Sequence, residues 1–350
     1  MDQEKAFELV FKVVGDMAGS FAMAQAHIGD TLGLFKALAG EGPMTSTALA
    51  EKTGLNERYV REWGKGMVAA EYIDYDPAAE AFVMTAEQAA VLADEDSPAF
   101  VGGALQFTTP SKYPIPRLIE CFKDGGGLAY DTLGEHIPCG IERFFRPGYI
   151  NFLAQDWLPA VPGLKDKLEA GIRIGDVGCG CGQSSMAMAK AYPKSKVVGI
   201  DFDARSVERA RKTAQENGLQ NVEFVQGAAH EQLAGEKFDL LCAFDCIHDM
   251  VDPIGTLRAM REALSEGGQA FWIEPNASHE PLENRNPVGK AFANISPAHC
   301  MTVSLAHGGA GLGTILGEKG TRALAEEAGY SGCTRLPIEH PFNLFMVLDK

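Results

Sequence analysis

Apolar residues recur at three- and four-residue intervals through the first 40 positions, at Phe7, Val10, Val14, Met17, Phe21, Ala24, Ile28, Leu32 and Phe35, with no proline among them. That spacing lines one face of a helix. Between residues 44 and 82 the pattern shortens. TSTALAEKTG opens on a capping threonine and closes on a glycine, LNERYVREWGKGMVAAE repeats the amphipathic period, and YIDYDPAAEAFVMT alternates as two short strands would. Helix, turn, helix and wing in that order predict a winged helix. Residues 101–140, containing TTPSKYPIPRLIE and KDGGGLAYD, are punctuated by Gly and Pro and read as linker and pocket wall.

From about residue 170 apolar β runs alternate with amphipathic helices, which predicts an α/β domain with a mostly parallel sheet. The runs are GIRIGDVG, KVVGID, VEFVQ, FDLLCAF and QAFWIE, with helical crossovers at 204–217 and 253–264. Residues 276–316 interrupt the alternation as an inserted lid, after which a helix at 319–328 precedes two terminal strands, CTRLPI and FNLFMVL. The expected division is a mainly helical domain at 1–100, a linker and covering helices at 101–165, and an α/β domain at 166–350.

Composition narrows the functions open to this architecture. Hydrophobic residues make up 46% of the chain, enough for a sizeable core, and 31 Lys+Arg against 47 Asp+Glu give a net charge of −16. Such a field repels phosphate backbones and anionic membranes, so nucleic acid is not the expected partner. No apolar run reaches the roughly 18–20 residues of a membrane span, and MDQEKAFELV lacks a basic signal region, which reads as cytoplasmic. The eight cysteines include no C-x-x-C pair, so reduced thiols and no metal are expected.

The candidate chemistry lies after the first α/β strand, in Asp176-Val177-Gly178-Cys179-Gly180-Cys181-Gly182-Gln183. Glycines there let the backbone turn sharply and approach a ligand at a helix start. A G-x-G-x-x-G dinucleotide fingerprint would need glycine at position 183, where Gln stands, so a nicotinamide or flavin reading is weakened. D-x-G-x-G-x-G instead puts a carboxylate where it can hold a ligand ammonium. Asp201, about 20 residues on at the end of the second strand, is placed to accept both hydroxyls of a ribose. Loop and acid together define an adenosine site.

With these residues the chain resembles the class I S-adenosylmethionine-dependent methyltransferases that carry an N-terminal winged-helix dimerisation domain. The segments Asp245-Cys246-Ile247-His248-Asp249-Met250-Val251-Asp252-Pro253, Asn286-Pro287-Val288-Gly289 and Pro341-Phe342-Asn343-Leu344 look like a bacterial and mycobacterial group of them. The resemblance implies a Rossmann-like sheet and a homodimer. It implies that Asp176, Gly178, Gly180 and Gly182 line the methionine end of the cofactor, that Asp201 binds its ribose, and that Phe202, Phe244 and Asp245 flank it. Where the family carries an acid after the third strand to read adenine, this chain has Gly227-Ala228-Ala229-His230. Backbone amides at Ala228 and Ala229, or the side chains of His230 or Glu231, are the substitutes.

His248 is the candidate general base. Methyl transfer is an in-line displacement, so the protein aligns the acceptor and, for O–H or S–H, removes its proton. A histidine after the fourth strand stands at the carboxyl edge where open α/β sheets bind ligands. The family implies the same role, with Glu274 steadying the ring; the alternative is a histidine that only positions. Phe145, Tyr149, Phe152, Trp157 and Met301 are candidates for the pocket of a small-molecule acceptor. The rival class is a cofactor-sensing DNA-binding regulator. Residues 41–99, however, hold four Lys/Arg against twelve Asp/Glu, the reverse of a DNA-binding module, and the preceding apolar helix reads as a dimer interface.

Overall fold

The computed structural model describes residues 1–109, 113–134 and 136–350; Pro110, Ser111, Lys112 and Glu135, in the stretch read as linker, lie outside them. Two compact units result, one formed by residues 1–113 and 136–147, the other by 114–134 and 148–350. The stretch 101–165 is thus shared out between both.

The first unit begins with the helix Gln3–Thr31, capped by the Asp2 carboxylate, and ends it where Gly33 takes φ +73° before a short helix, Leu34–Leu38. Thr45 caps Ser46–Thr53, Gly54 stops it at φ +69°, and Asn56 caps Glu57–Ala69. Two short antiparallel strands, β1 (Asp74–Asp76) and β2 (Ala81–Val83), make the wing. The winged-helix pattern is present as the sequence predicts. Phe35, Leu49, Val60, Trp63, Met67 and Phe82 form its core. The long first helix contributes little to it. Only Ala26 and Gly29 are buried there, while Phe7, Phe11 and Phe21 are 65%, 73% and 69% exposed.

The second unit is built on seven strands: β3 (Arg173–Val177), β4 (Lys196–Asp201), β5 (Val222–Gln226), β6 (Phe238–Phe244), β7 (Leu264–Pro275), β8 (Gly332–Arg335) and β9 (Asn343–Asp349). Their order is β5-β4-β3-β6-β7-β9-β8, parallel through β7, with β9 antiparallel to both of its neighbours. Strand residues alternate between two cores. Leu241 and Ala243 face helices Pro253–Ala263 and Gly317–Glu327, while Leu240, Cys242 and Phe244 join a cluster with Trp157, Leu164 and Met188. Burial on both faces explains why these strands read as unbroken apolar runs.

Three segments without clear periodicity are also ordered. Within the second unit, residues 114–134 form the helix Ile115–Asp124 and a single turn, Tyr130–Leu133. Residues Tyr149–Trp157 wind with i→i+5 bonds, one of them Leu158 N–H to Leu153 O at 2.9 Å, a geometry found often near functional sites. The insertion after β7 contains two helices, Pro287–Ala298 and Cys300–Ala306. Among the described residues no helix is long and apolar enough to cross a membrane.

Candidate active site

The order of the sheet reverses between β3 and β6, so the loops leaving their carboxyl ends open the crevice where such folds take ligands. Gly178, Gly180 and Gly182 occupy that loop with φ of +69°, +51° and +77°. A Cβ on Gly178 would meet the Cys246 side chain at 2.7 Å, so close packing as well as conformation demands glycine there. Asp201 ties this loop to the end of β4. Its Oδ2 accepts the Gly180 N–H at 2.7 Å and its Oδ1 the Asp203 N–H at 2.9 Å. Asp203 caps the helix that follows, accepting Ser206 N–H and Oγ–H at 3.0 and 2.7 Å.

Asp176 is 1% exposed. Burial pushes its carboxyl up to about 6, against the pull of the Ser184 and Ser185 hydroxyls, which both donate to its Oδ2 at 2.6 Å. A buried carboxylate held this way gains from an incoming cation. After β5, Gly227 donates its N–H to Asp201 O, and half-buried Ala228 and Ala229 start a short helix. His230 and Glu231 are exposed. Phe202 is 57% exposed beside Asp201.

The loop after β6 holds the densest set of titratable groups. His248 lies in the turn Ile247–Asp249 and is 4% exposed; its Nδ1 is 2.6 Å from Glu274 Oε2 on β7, and Trp272 Nε1–H donates to Glu274 Oε1 at 2.8 Å. Parallel pairing of β6 with β7 makes the two loops adjacent, which brings residues 26 positions apart into contact. Burial works to lower the His248 pKa, but the Glu274 carboxylate, with help from the Cys300 thiol, raises it well above the usual imidazole value. Its thiol neighbour, Cys300, belongs to the inserted lid. His299, next to Cys300, goes the opposite way, down to about 4, through burial and then the nearby His248 charge. Burial raises Asp249 to about 7, opposed by the His248 charge.

Asp245 takes φ +51°, rare for a residue with a side chain, and Asn343 Nδ2 donates to both of its carboxylate oxygens at 2.7 and 2.8 Å. The two motifs that contain these residues, far apart in sequence, thus meet in one hydrogen-bonded pair. Burial, then the Glu274 charge, raises Asp245 well above the carboxylate range.

The other expected pocket residues divide. Tyr149 packs 5.8 Å from the Phe244 ring, close enough for Asp245, Asp176 and Cys246 to act on its phenol. Phe152 stacks at 6.1 Å on Trp157, which itself lies 5.0 Å from Phe345, so these two belong to the core beneath. Met301 is half-buried on the lid helix, and Phe145, in the first unit, packs edge-on at 5.1 Å to Phe144. Cys246 donates to Val177 O at 3.1 Å as a packing residue. Among the described residues no group of three His, Cys, Asp or Glu side chains is arranged to hold a metal ion.

Sequence reasoning passed over Tyr130. Its ring packs 6.4 Å from Phe202 and 5.9 Å from His299, and Asp201 and Asp249 act on its phenol. Nothing in KDGGGLAYD marked it, because no strand or helix period runs through that stretch.

Comparison with known proteins agrees with this architecture. Residues 168–320 match the family described as a methyltransferase domain, and residues 20–94 match the Rv2258c-like winged HTH domain. A ubiquinone biosynthesis O-methyltransferase of Aromatoleum aromaticum is 36% identical over 165 residues, 46% of this chain and 63% of that one. The chain spans less than two thirds of the length of the curated relatives it matches. Among solved structures, a Nostoc punctiforme protein assigned to the O-methyltransferases superposes with TM-score 0.75 at 21% identity over 98% of both chains. Human N-acetylserotonin methyltransferase in complex with SAM gives 0.72 at 16% over 97% of both. By these matches, the chain carries a methyltransferase domain behind an N-terminal winged helix-turn-helix domain.

Proposed function

We propose that this protein transfers a methyl group from S-adenosylmethionine to a small-molecule O–H or S–H nucleophile in the cytoplasm, with His248 as the base. The observation that carries the reading is the buried Trp272–Glu274–His248 chain, which stands at the strand edge beside a glycine loop bracketed by Asp176 and Asp201. The cofactor supplies an electrophilic methyl on a sulfonium. Asp176 would face its ammonium group and Asp201 its ribose hydroxyls, with Ala228 and Ala229 amides toward adenine. Glu274 holds the Nδ1 side of His248, leaving Nε2 to face the Cys300 side of the pocket and the acceptor's proton.

The exposed apolar face of Gln3–Thr31 supports pairing of two copies through the first unit, since a run of large side chains in water marks an interaction surface. DNA binding by the winged helix is the second reading. The helix Glu57–Ala69 argues against it: Arg58 pairs with Glu62 and Arg61 with Glu57, so two of its cations are already met by acids of the same helix. The test is transfer of labelled methyl from S-adenosylmethionine into a small-molecule extract, alongside retention on generic duplex DNA at low salt. Label in one compound and no DNA retention is the expected result. Tight cofactor binding without transfer, joined to DNA retention, would replace the enzyme with a regulator.

A further inference from the structure

The stretch between the helix Ile115–Asp124 and Gly134 runs as a flap. Gly125 and Gly126 both take left-handed φ, +77° and +78°, with open space where a Cβ would be, so a turn that favours glycine joins the helix to the flap. Beyond this point the flap is clamped to the lid. Leu128 N–H donates to Thr302 O at 3.1 Å and Oγ1 at 3.0 Å, and a Cβ on Gly127 would stand 1.9 Å from Thr302 O. The clamp delivers Tyr130, half-buried between Phe202 on one side and His299 on the other. Its phenol is close enough to feel Asp201, Asp249, Cys181 and Asp203, residues that end β4, leave β6 and form the glycine loop.

We propose that Tyr130 is a cofactor-site residue, which with Phe202 forms an aromatic clamp on the nucleoside of S-adenosylmethionine. This rests on the methyltransferase reading and adds a binding residue to it. Two observations point to a nucleoside. Phe202 follows the ribose acid directly and leaves most of its ring uncovered, and Tyr130 is the aromatic that meets it edge-on. After β5 the adenine side has Ala228 and Ala229 where the family resemblance implies an acid, and His230 and Glu231 are exposed, so ring contacts would add to what the backbone amides supply there. Aromatic faces hold a base without reading its edge. Tyr130 does not touch the reacting methyl in this scheme; it fixes the far end of the cofactor and closes the site through the flap.

Calorimetry on the full chain with S-adenosylhomocysteine and with 5′-methylthioadenosine tests this. Tyr130→Ala is expected to weaken both ligands by about 10- to 100-fold, because the contact is to the nucleoside they share, and to raise KM for S-adenosylmethionine while kcat holds. Tyr130→Phe should keep most of the affinity. Phe202→Ala, at an exposed position, should weaken binding without loss of fold. It carries the test if Tyr130→Ala does not fold, and otherwise the double variant should lose less than the product of the two single losses. Unchanged or tighter binding in Tyr130→Ala, or in Phe202→Ala where that is the variant that folds, overturns the clamp while the methyltransferase reading stands. No binding of either ligand by the unmodified protein would instead remove the cofactor site itself.

Discussion

The candidate site has two halves built by different means. One half, Asp176, the glycine loop, Asp201, His248 and Glu274, sits on the carboxyl ends of neighbouring parallel strands, and ladder register alone fixes its spacing. The other half, Tyr130, Tyr149, His299 and Cys300, comes from segments held by contacts remote in sequence, such as Leu128 to Thr302. In the proposed scheme the first half carries the charges and donors of the chemistry. The second packs over them, with Tyr130 against Phe202 and Tyr149 against Phe244. A rigid edge and a folded-over cover should therefore respond to substitution differently.

The largest effect expected is in the rigid half. His248→Ala should lower kcat by about 10²–10⁴, the usual worth of a general base, with S-adenosylhomocysteine affinity unchanged by calorimetry. Asp201→Ala should cost about 10- to 100-fold in that affinity, as the loss of hydrogen bonds to a charged group does. Unchanged binding would take the ribose contact away from β4.

The pH dependence sharpens the same half. Asp176 is raised to about 6 by burial, so below that pH it is protonated and cannot meet an ammonium. Cofactor affinity should fall about tenfold per pH unit as the pH drops below 6. His248 is raised by Glu274, so its ion pair contributes stability that is full below the ordinary imidazole pKa and is lost as pH rises through the elevated one. Turnover should do the reverse and climb with pH above neutrality, because the base works only after losing that proton. A rate that is flat from pH 6 to 9 would contradict a proton-abstracting His248.

The smallest effect belongs to the cover. Gly127→Ala brings a Cβ against Thr302 O and Ala306 N, backbone atoms that cannot give way cheaply, so the flap must lift. Cofactor affinity should drop by a few-fold, about 0.6–1 kcal/mol, while the pH profile of kcat keeps its shape. A changed profile would mean that the flap reaches the base as well.

The same division sets what was legible in the sequence. The β runs, the winged helix, the loop from Asp176 to Gly182 and the acid at Asp201 could be read because each is local: a period of two or 3.6, a turn glycine, a cap. The pairing of His248 with Glu274 was implied by the family resemblance, and the parallel pairing of β6 with β7 is what brings the two together. The Asp245–Asn343 bond could not, since it depends on β9 inserting antiparallel between β7 and β8. Tyr130 was lost for a related reason. Its three preceding glycines and short turn carry no period, and its place is set by a lid helix some 170 residues away. The exposed face of Gln3–Thr31 was readable as apolar, and the structure shows that the first unit does not bury it.

The central claim is that this site moves a methyl group and that His248 takes the proton. The direct test is transfer of labelled methyl from S-adenosylmethionine into a small-molecule extract of the source cells, run in parallel for the unmodified protein and His248→Ala, with cofactor affinity measured for both. One labelled product, fading by two orders of magnitude or more in the variant at equal affinity, is the result predicted. Equal labelling by the two proteins would contradict the role of His248, and cofactor binding with no labelled product at all would contradict the enzyme.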